Sequence, residues 1–524
     1  MASESKITYA TLSADDDEMH RKFDAGIARA RAQLGRTAPL HVGGETRTTT
    51  ETHPSLNPAD TRMVVATVCS ANKADVEAAA AAAQKAFPAW RATPFARRIE
   101  ILASAARLVR ERRFELSAWL ILEMGKNRIE ALGEIEELAD LIDYYNEQMQ
   151  ANGGYIRPMG QLAASDTNVS VLRPYGVWAV IAPWNFPYAL LGAPVAAALV
   201  TGNTVVAKPS SDTPLSGVLL AEIFREAGVP PGVFNLVTGK GNVVGEALLA
   251  HPAVAGLTFT GSYDVGFHNL FQKFSTRYPK PCIVEMGGKN PAIVTEHADL
   301  ERAISGVYRS AFGMNGHKCS ACSRVYVHRS VAERFLQGLI AKTESTVIAD
   351  PLDRRTFLGP IATKGGFEDY QRFVAQAAAV AQIKVRTGGK TLREGGLGNG
   401  YFVAPTILTE VPRDHALVRN ELFVPMVVVE TVDGFDEALA LANDTDFGLT
   451  AGLFSKDPKQ IDAFLERIEA GVVYVNRAAG ATTGAWPGVQ PFGGWKGSGS
   501  TGKNIGGLYT LPCYLREQSR TIVG

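Results

Sequence analysis

The chain has 524 residues, 46% of them hydrophobic and 20% charged, which excludes disordered and fibrous classes and calls for two or three domains. Lys plus Arg and Asp plus Glu both total 53, so no broad basic face is available for nucleic acid. Five scattered cysteines make no disulfide framework and point to a reducing, cytoplasmic compartment, while 51 glycines call for tight turns or close backbone approach.

In chain order, residues 1–60 read as a polar surface lead-in, and the acidic run Asp15-Asp16-Asp17-Glu18 is unlike a targeting peptide. Residues 73–150 carry apolar side chains at spacings of three and four, as at Val76, Ala79, Ala80 and Ala83, the pattern of amphipathic helices. From about 170 short apolar runs (176–182, 204–207, 234–237, 257–259, 282–285) alternate with helical text. A second series (291–295, 324–328, 426–431, 471–476) does the same, with helices over 330–345 and 434–444. This alternation is that of doubly wound α/β units with parallel sheets. The longest apolar run, 190–200, is too short to span a membrane. The tail from 477 mixes glycine with large aromatics and reads as packed loop.

Several positions carry chemistry. Gly239-Lys240-Gly241 with Gly245 approaches a dinucleotide fingerprint but misses its last spacing, and no Walker A pattern occurs. Phe259-Thr260-Gly261-Ser262 joins a strand to a helix, so its free N–H groups suit a phosphate, or Ser262 simply caps the helix. Cys319-Ser320-Ala321-Cys322 lacks the second pair or paired histidines that zinc needs, which leaves a dithiol, two core cysteines or one reactive thiol. Gly313, Gly316, His317 and Lys318 precede Cys319, a setting expected to lower the thiol pKa. Glu285 ends an apolar run, where α/β proteins place ligands. Asn185, held in Pro183-Trp184-Asn185-Phe186-Pro187, is either a turn former or an oxyanion donor.

Together with Lys208-Pro209, Glu285-Met286-Gly287-Gly288-Lys289 and Pro491-Phe492-Gly493-Gly494, these segments resemble the ordered motif series of aldehyde dehydrogenases from about 55 to 515. The resemblance implies two doubly wound parallel-sheet domains and a small β oligomerisation arm. It divides the chain into a cofactor-binding domain (1–150 and 171–285), a catalytic domain (286–475), and an arm with a substrate-anchor loop (151–170 and 476–524). It makes Cys319 the nucleophile, Glu285 the base for thioester hydrolysis, and Asn185 an oxyanion donor with the Cys319 N–H. Trp184, Lys208, Ser211, Ser262, Glu421 and Phe423 would hold NAD, or NADP. A narrower likeness, to the members that oxidise L-glutamate γ-semialdehyde, assigns the substrate carboxylate to Ser320, Gly484 and Ala485 and the aliphatic part to Phe186 and Phe492. The expected partners are a small aldehyde and further copies of the chain, with no nucleic acid, membrane or metal.

Three departures stand out. His317 replaces the usual Gln and would either tune the thiol, titrate near neutrality, or lie on the surface. Ser211 replaces a Glu that would repel a 2′-phosphate, which opens NADP use. Val424 replaces a commoner Gly. The competing readings are another semialdehyde or an aromatic aldehyde as substrate, acyl transfer to coenzyme A, and a catalytically silent protein on this fold; an intact Glu285 opposes acyl transfer.

Overall fold

Val177–Ile181 and Thr204–Lys208 are buried at every position, the mark of strands covered on both faces. They form the centre of a seven-stranded sheet ordered Cys282–Glu285, Val254–Thr260, Val177–Ile181, Thr204–Lys208, Phe234–Leu236, Leu40–Val42 and Glu45–Arg47. The first five strands run parallel; the last two form an antiparallel hairpin. The structure, a computed structural model, describes residues 8–9, 11–12, 15–275, 278–478 and 486–524.

A second seven-stranded sheet runs Lys384–Thr387, Thr406–Thr409, Met426–Val432, Cys322–His328, Asn290–Val294, Thr450–Phe454 and Val472–Val475. It is parallel except for its antiparallel edge strand, Lys384–Thr387. Helices cover its faces, among them Leu300–Phe312, Arg329–Glu344 and Phe435–Asn443. A third, antiparallel sheet joins Leu515–Val523, Asp166–Pro174 and Ile156–Pro158.

The lead-in is not a surface segment. Helix Asp17–Arg31 buries Met19, Phe23 and Ile27 between charged neighbours, and residues 36–69 supply strands, two of them to the first large sheet. The interleaved charges hide its apolar stripe from a count of composition. Helix Arg128–Ala151 starts at an Asn127 cap and packs on helix Ala189–Val200, which is buried along nearly its whole length. Among the described residues, no helix is long and apolar enough to cross a membrane.

Candidate active site

Cys319 lies where two cavities meet, one of about 830 Å³ and one of about 1610 Å³; among the described residues only Leu190 joins it in lining both. The approach to it is an irregular turn after helix Leu300–Phe312. Met314, Asn315 and Gly316 take φ of 54°, 55° and 67° in succession. At Gly316 a Cβ would stand 2.5 Å from the Val424 carbonyl oxygen, so only glycine fits. The Asn315 amide donates to the Pro360 carbonyl (2.9 Å), and the Met314 N–H donates to Glu130 (2.8 Å). Beyond the turn the Asn290 amide donates to the Cys319 carbonyl at 2.8 Å. These bonds hold the cysteine backbone.

Burial pushes the Cys319 thiol up to about 12, and the charges of Glu421 and Glu285 add to the effect. The lowered pKa expected from the neighbouring cations does not occur, because desolvation outweighs Lys318 and His317 carries no charge. His317 is buried, and burial with the nearby Lys126 charge holds it down to about 3. It therefore neither lies on the surface nor titrates near neutrality. Its ring meets Trp184 edge-on (centroids 4.9 Å) and lies nearly parallel to Phe423 (6.1 Å).

Asn185, on the turn after strand Val177–Ile181, is buried and donates from Nδ2 to the His317 carbonyl at 3.0 Å. It lines the larger cavity with Cys319. Glu285 ends strand Cys282–Glu285 and is buried; Oε2 has no hydrogen-bond partner among the described residues, and desolvation raises its pKa well above the usual carboxylate range.

The larger cavity brings together Trp184, Lys208, Ser211, Ser262, Glu421 and Phe423. Lys208 is a buried cation whose Nζ donates to the Pro209 carbonyl (3.0 Å); burial lowers it to about 8, against the charge of Asp212. The Ser211 hydroxyl donates to the Gly239 carbonyl at 2.9 Å. The Ser262 hydroxyl accepts the Val265 N–H at 3.4 Å, and Ser262 lines the cleft. Glu421 accepts the Gly288 N–H at 3.0 Å, and burial pushes it up to about 7. Gly287 leaves room for that carboxylate, since a Cβ there would fall 2.1 Å from Glu421 Oε2.

These groups fit a dinucleotide. The cleft offers one buried ammonium, a buried carboxylate, hydroxyls and the start of a helical segment, the set that ribose hydroxyls and a pyrophosphate require. The Thr260 hydroxyl, buried on the cleft wall, has no hydrogen-bond partner among the described residues. Gly241 and Gly245 of the imperfect glycine fingerprint also line this cleft.

Phe186, Ser320 and Phe492 line the smaller cavity with Lys318, Gln490 and Trp486. Gly484 and Ala485 lie outside the described residues. Tyr9 and Glu137 also line this cavity, and Asp212 lines the larger one; the sequence reading missed all three. Asp212 directly follows Ser211 and was legible as a nearby carboxylate, whereas nothing in the first residues marks Tyr9.

The sequence matches the aldehyde dehydrogenase family over residues 45–519. It is 37% identical over 511 residues to a 1-pyrroline-5-carboxylate dehydrogenase of Geobacillus thermodenitrificans, covering 97% of this chain and 96% of that one. The fold superposes on a 1-pyrroline-5-carboxylate dehydrogenase from Thermus with bound NAD, with a TM-score of 0.93, 36% identity and full coverage of both chains. A variant of the Thermus thermophilus 1-pyrroline-5-carboxylate dehydrogenase gives a TM-score of 0.94 at 36% identity, again with full coverage of both chains.

Proposed function

The chain belongs to the aldehyde dehydrogenase family and is an NAD(P)-dependent oxidoreductase; from that premise we propose that it oxidises L-glutamate γ-semialdehyde to L-glutamate in proline catabolism. The observation that carries the reading is Cys319, the one reactive group shared by a dinucleotide-sized cleft and a second cavity. The cavity fits a short chain with a polar end: Phe186 and Phe492 offer apolar walls, and Ser320 offers a hydroxyl beside the nucleophile. Gly484 and Ala485 complete the carboxylate anchor in this reading, through backbone donors.

The chemistry runs through this chain's own residues. Cys319 releases its thiol proton to solvent and attacks the aldehyde carbon as a thiolate, forming a C–S bond and an oxyanion. A free Asn185 amide hydrogen and the Cys319 N–H stabilise that oxyanion. Trp184, Lys208, Ser211, Ser262, Glu421 and Phe423 would hold NAD, which would supply the acceptor for the hydride lost from the substrate carbon. The thioester left on Cys319 is then cleaved by water. Glu285 takes a proton from that water, the carboxylate product leaves, and the thiol is restored.

NAD is the cofactor; the Asp212 carboxylate, close enough to Lys208 to shift it, disfavours a 2′-phosphate in the place of the missing Glu at Ser211. This reading divides the chain into a cofactor unit (1–150 and 171–285), a catalytic unit (286–475), and an arm with anchor loop (151–170 and 476–524). The protein acts in the cytoplasm as a homo-oligomer. The exposed Leu508, Tyr509, Ile522 and Val523 near the arm support assembly.

Ser320→Ala tests the substrate assignment. The expected outcome is a KM for pyrroline-5-carboxylate raised about tenfold with hexanal kinetics nearly unchanged. Equal losses for both substrates would mean that Ser320 serves only the thiol.

A further inference from the structure

The aldehyde cavity borrows part of its wall from the beginning of the chain. Tyr9 is buried and lines the cavity with Leu141, Phe186 and Trp486. Its hydroxyl donates to Glu137 Oε2 at 2.7 Å, and its ring meets Trp486 edge-on, with centroids 5.8 Å apart and planes at 78°. The ring lies on Gly133, in the second turn of helix Arg128–Ala151. A Cβ at Gly133 would fall 2.3 Å from Tyr9 Cδ1, and its three nearest atoms would all belong to that ring. Glycine in a helix interior costs roughly 1 kcal/mol relative to alanine. This helix therefore carries a notch whose one visible use is to seat Tyr9.

We propose that Tyr9, seated on Gly133 and braced by Glu137 and Trp486, is a size-selecting wall of the aldehyde cavity that limits how long a substrate chain can be and still reach Cys319. The anchoring explains the burial of an aromatic residue so near the chain's start. A ring tied at its hydroxyl, edge and face has little freedom to swing aside for a longer substrate. The proposal rests on aldehyde oxidation at Cys319, and its test separates the two ideas.

The experiment measures kcat/KM with NAD for straight aldehydes from propanal to octanal. In Tyr9→Ala the wall is gone, and the octanal-to-propanal ratio is expected to rise about tenfold, the low end of what a few methylenes are worth in a pocket. Gly133→Ala displaces the ring while favouring the helix, and should move the ratio in the same direction. Tyr9→Phe keeps the ring and should keep the wild-type ratio even if its absolute rates change. The KM for NAD serves as control, since Tyr9 does not line the cofactor cleft. If Tyr9→Ala fails to fold, the Gly133→Ala ratio decides alone. A wild-type ratio in Gly133→Ala, or in a folded Tyr9→Ala, overturns the proposal. Absence of aldehyde oxidation by the wild-type enzyme would instead overturn the parent reading.

Discussion

At Cys319 and Glu285, burial raises both pKa values, and the Glu285 charge raises Cys319 further. In the proposed reaction Glu285 activates the water that cleaves the thioester. Replacing Glu285 by Gln should therefore leave one burst of NADH per active site, followed by turnover about 10²–10⁴-fold slower. Rapid-mixing absorbance would show it, and an undiminished steady-state rate would remove Glu285 from the mechanism. Glu421 gives a pH signature. Ribose hydroxyls bind its ionised form best, so cofactor binding should release a proton. The KM for NAD should then fall as pH rises from 5.5 through about 7, and Glu421→Gln should flatten that trend. A wild-type KM independent of pH over this range would contradict the assignment. The positions of Cys319, Glu285 and Asn185 were legible because each stands at a strand end or a glycine-broken turn. The thiol's acidity was not, since it depends on burial by residues remote in sequence. His317 shows the same limit: Trp184 and Phe423 decide its environment, and they lie 133 and 106 positions away.

Among the elements, helix Pro214–Glu226 owes its start to a carboxylate from another helix. Glu123 accepts the N–H groups of Leu215 (2.7 Å) and Ser216 (3.0 Å), and also the hydroxyls of Ser216 and Ser55. Glu123→Ala strands two buried helix donors and should cost about 1–3 kcal/mol, read as a lower urea midpoint with an unchanged slope. An unchanged midpoint would mean that water replaces the cap. The strands buried on both faces were readable as apolar runs, which is why the centre of each large sheet came through. Thr406–Thr409 and Thr450–Phe454 did not, because they are short and rich in threonine or small residues. At Gly452 the absent side chain makes room for Tyr474 on the neighbouring strand, a need visible only once the strands pair.

Across the whole molecule, the two large sheets meet at Cys319 through loops from their strand ends, and segments distant in sequence complete both cavities. The order of motifs along the chain made this architecture legible. The part played by residues 8–69 was not, since its strands and Tyr9 gain meaning only from what they dock against. The glycine-rich composition now has specific sites: Gly316 permits the nucleophile turn, Gly287 admits Glu421, and Gly133 seats Tyr9. The zero net charge is compatible with the proposed anionic substrate, which local hydroxyl and backbone donors would hold. The central claim is the identity of that substrate. Its most direct test is kcat/KM with NAD for pyrroline-5-carboxylate, in equilibrium with its open semialdehyde, against straight aliphatic aldehydes, with the product identified. The expected result is L-glutamate as product and a preference of about 10²-fold or more for the charged substrate, the discrimination that follows when a polar anchor is left unfilled. A preference for the uncharged aldehydes would contradict it.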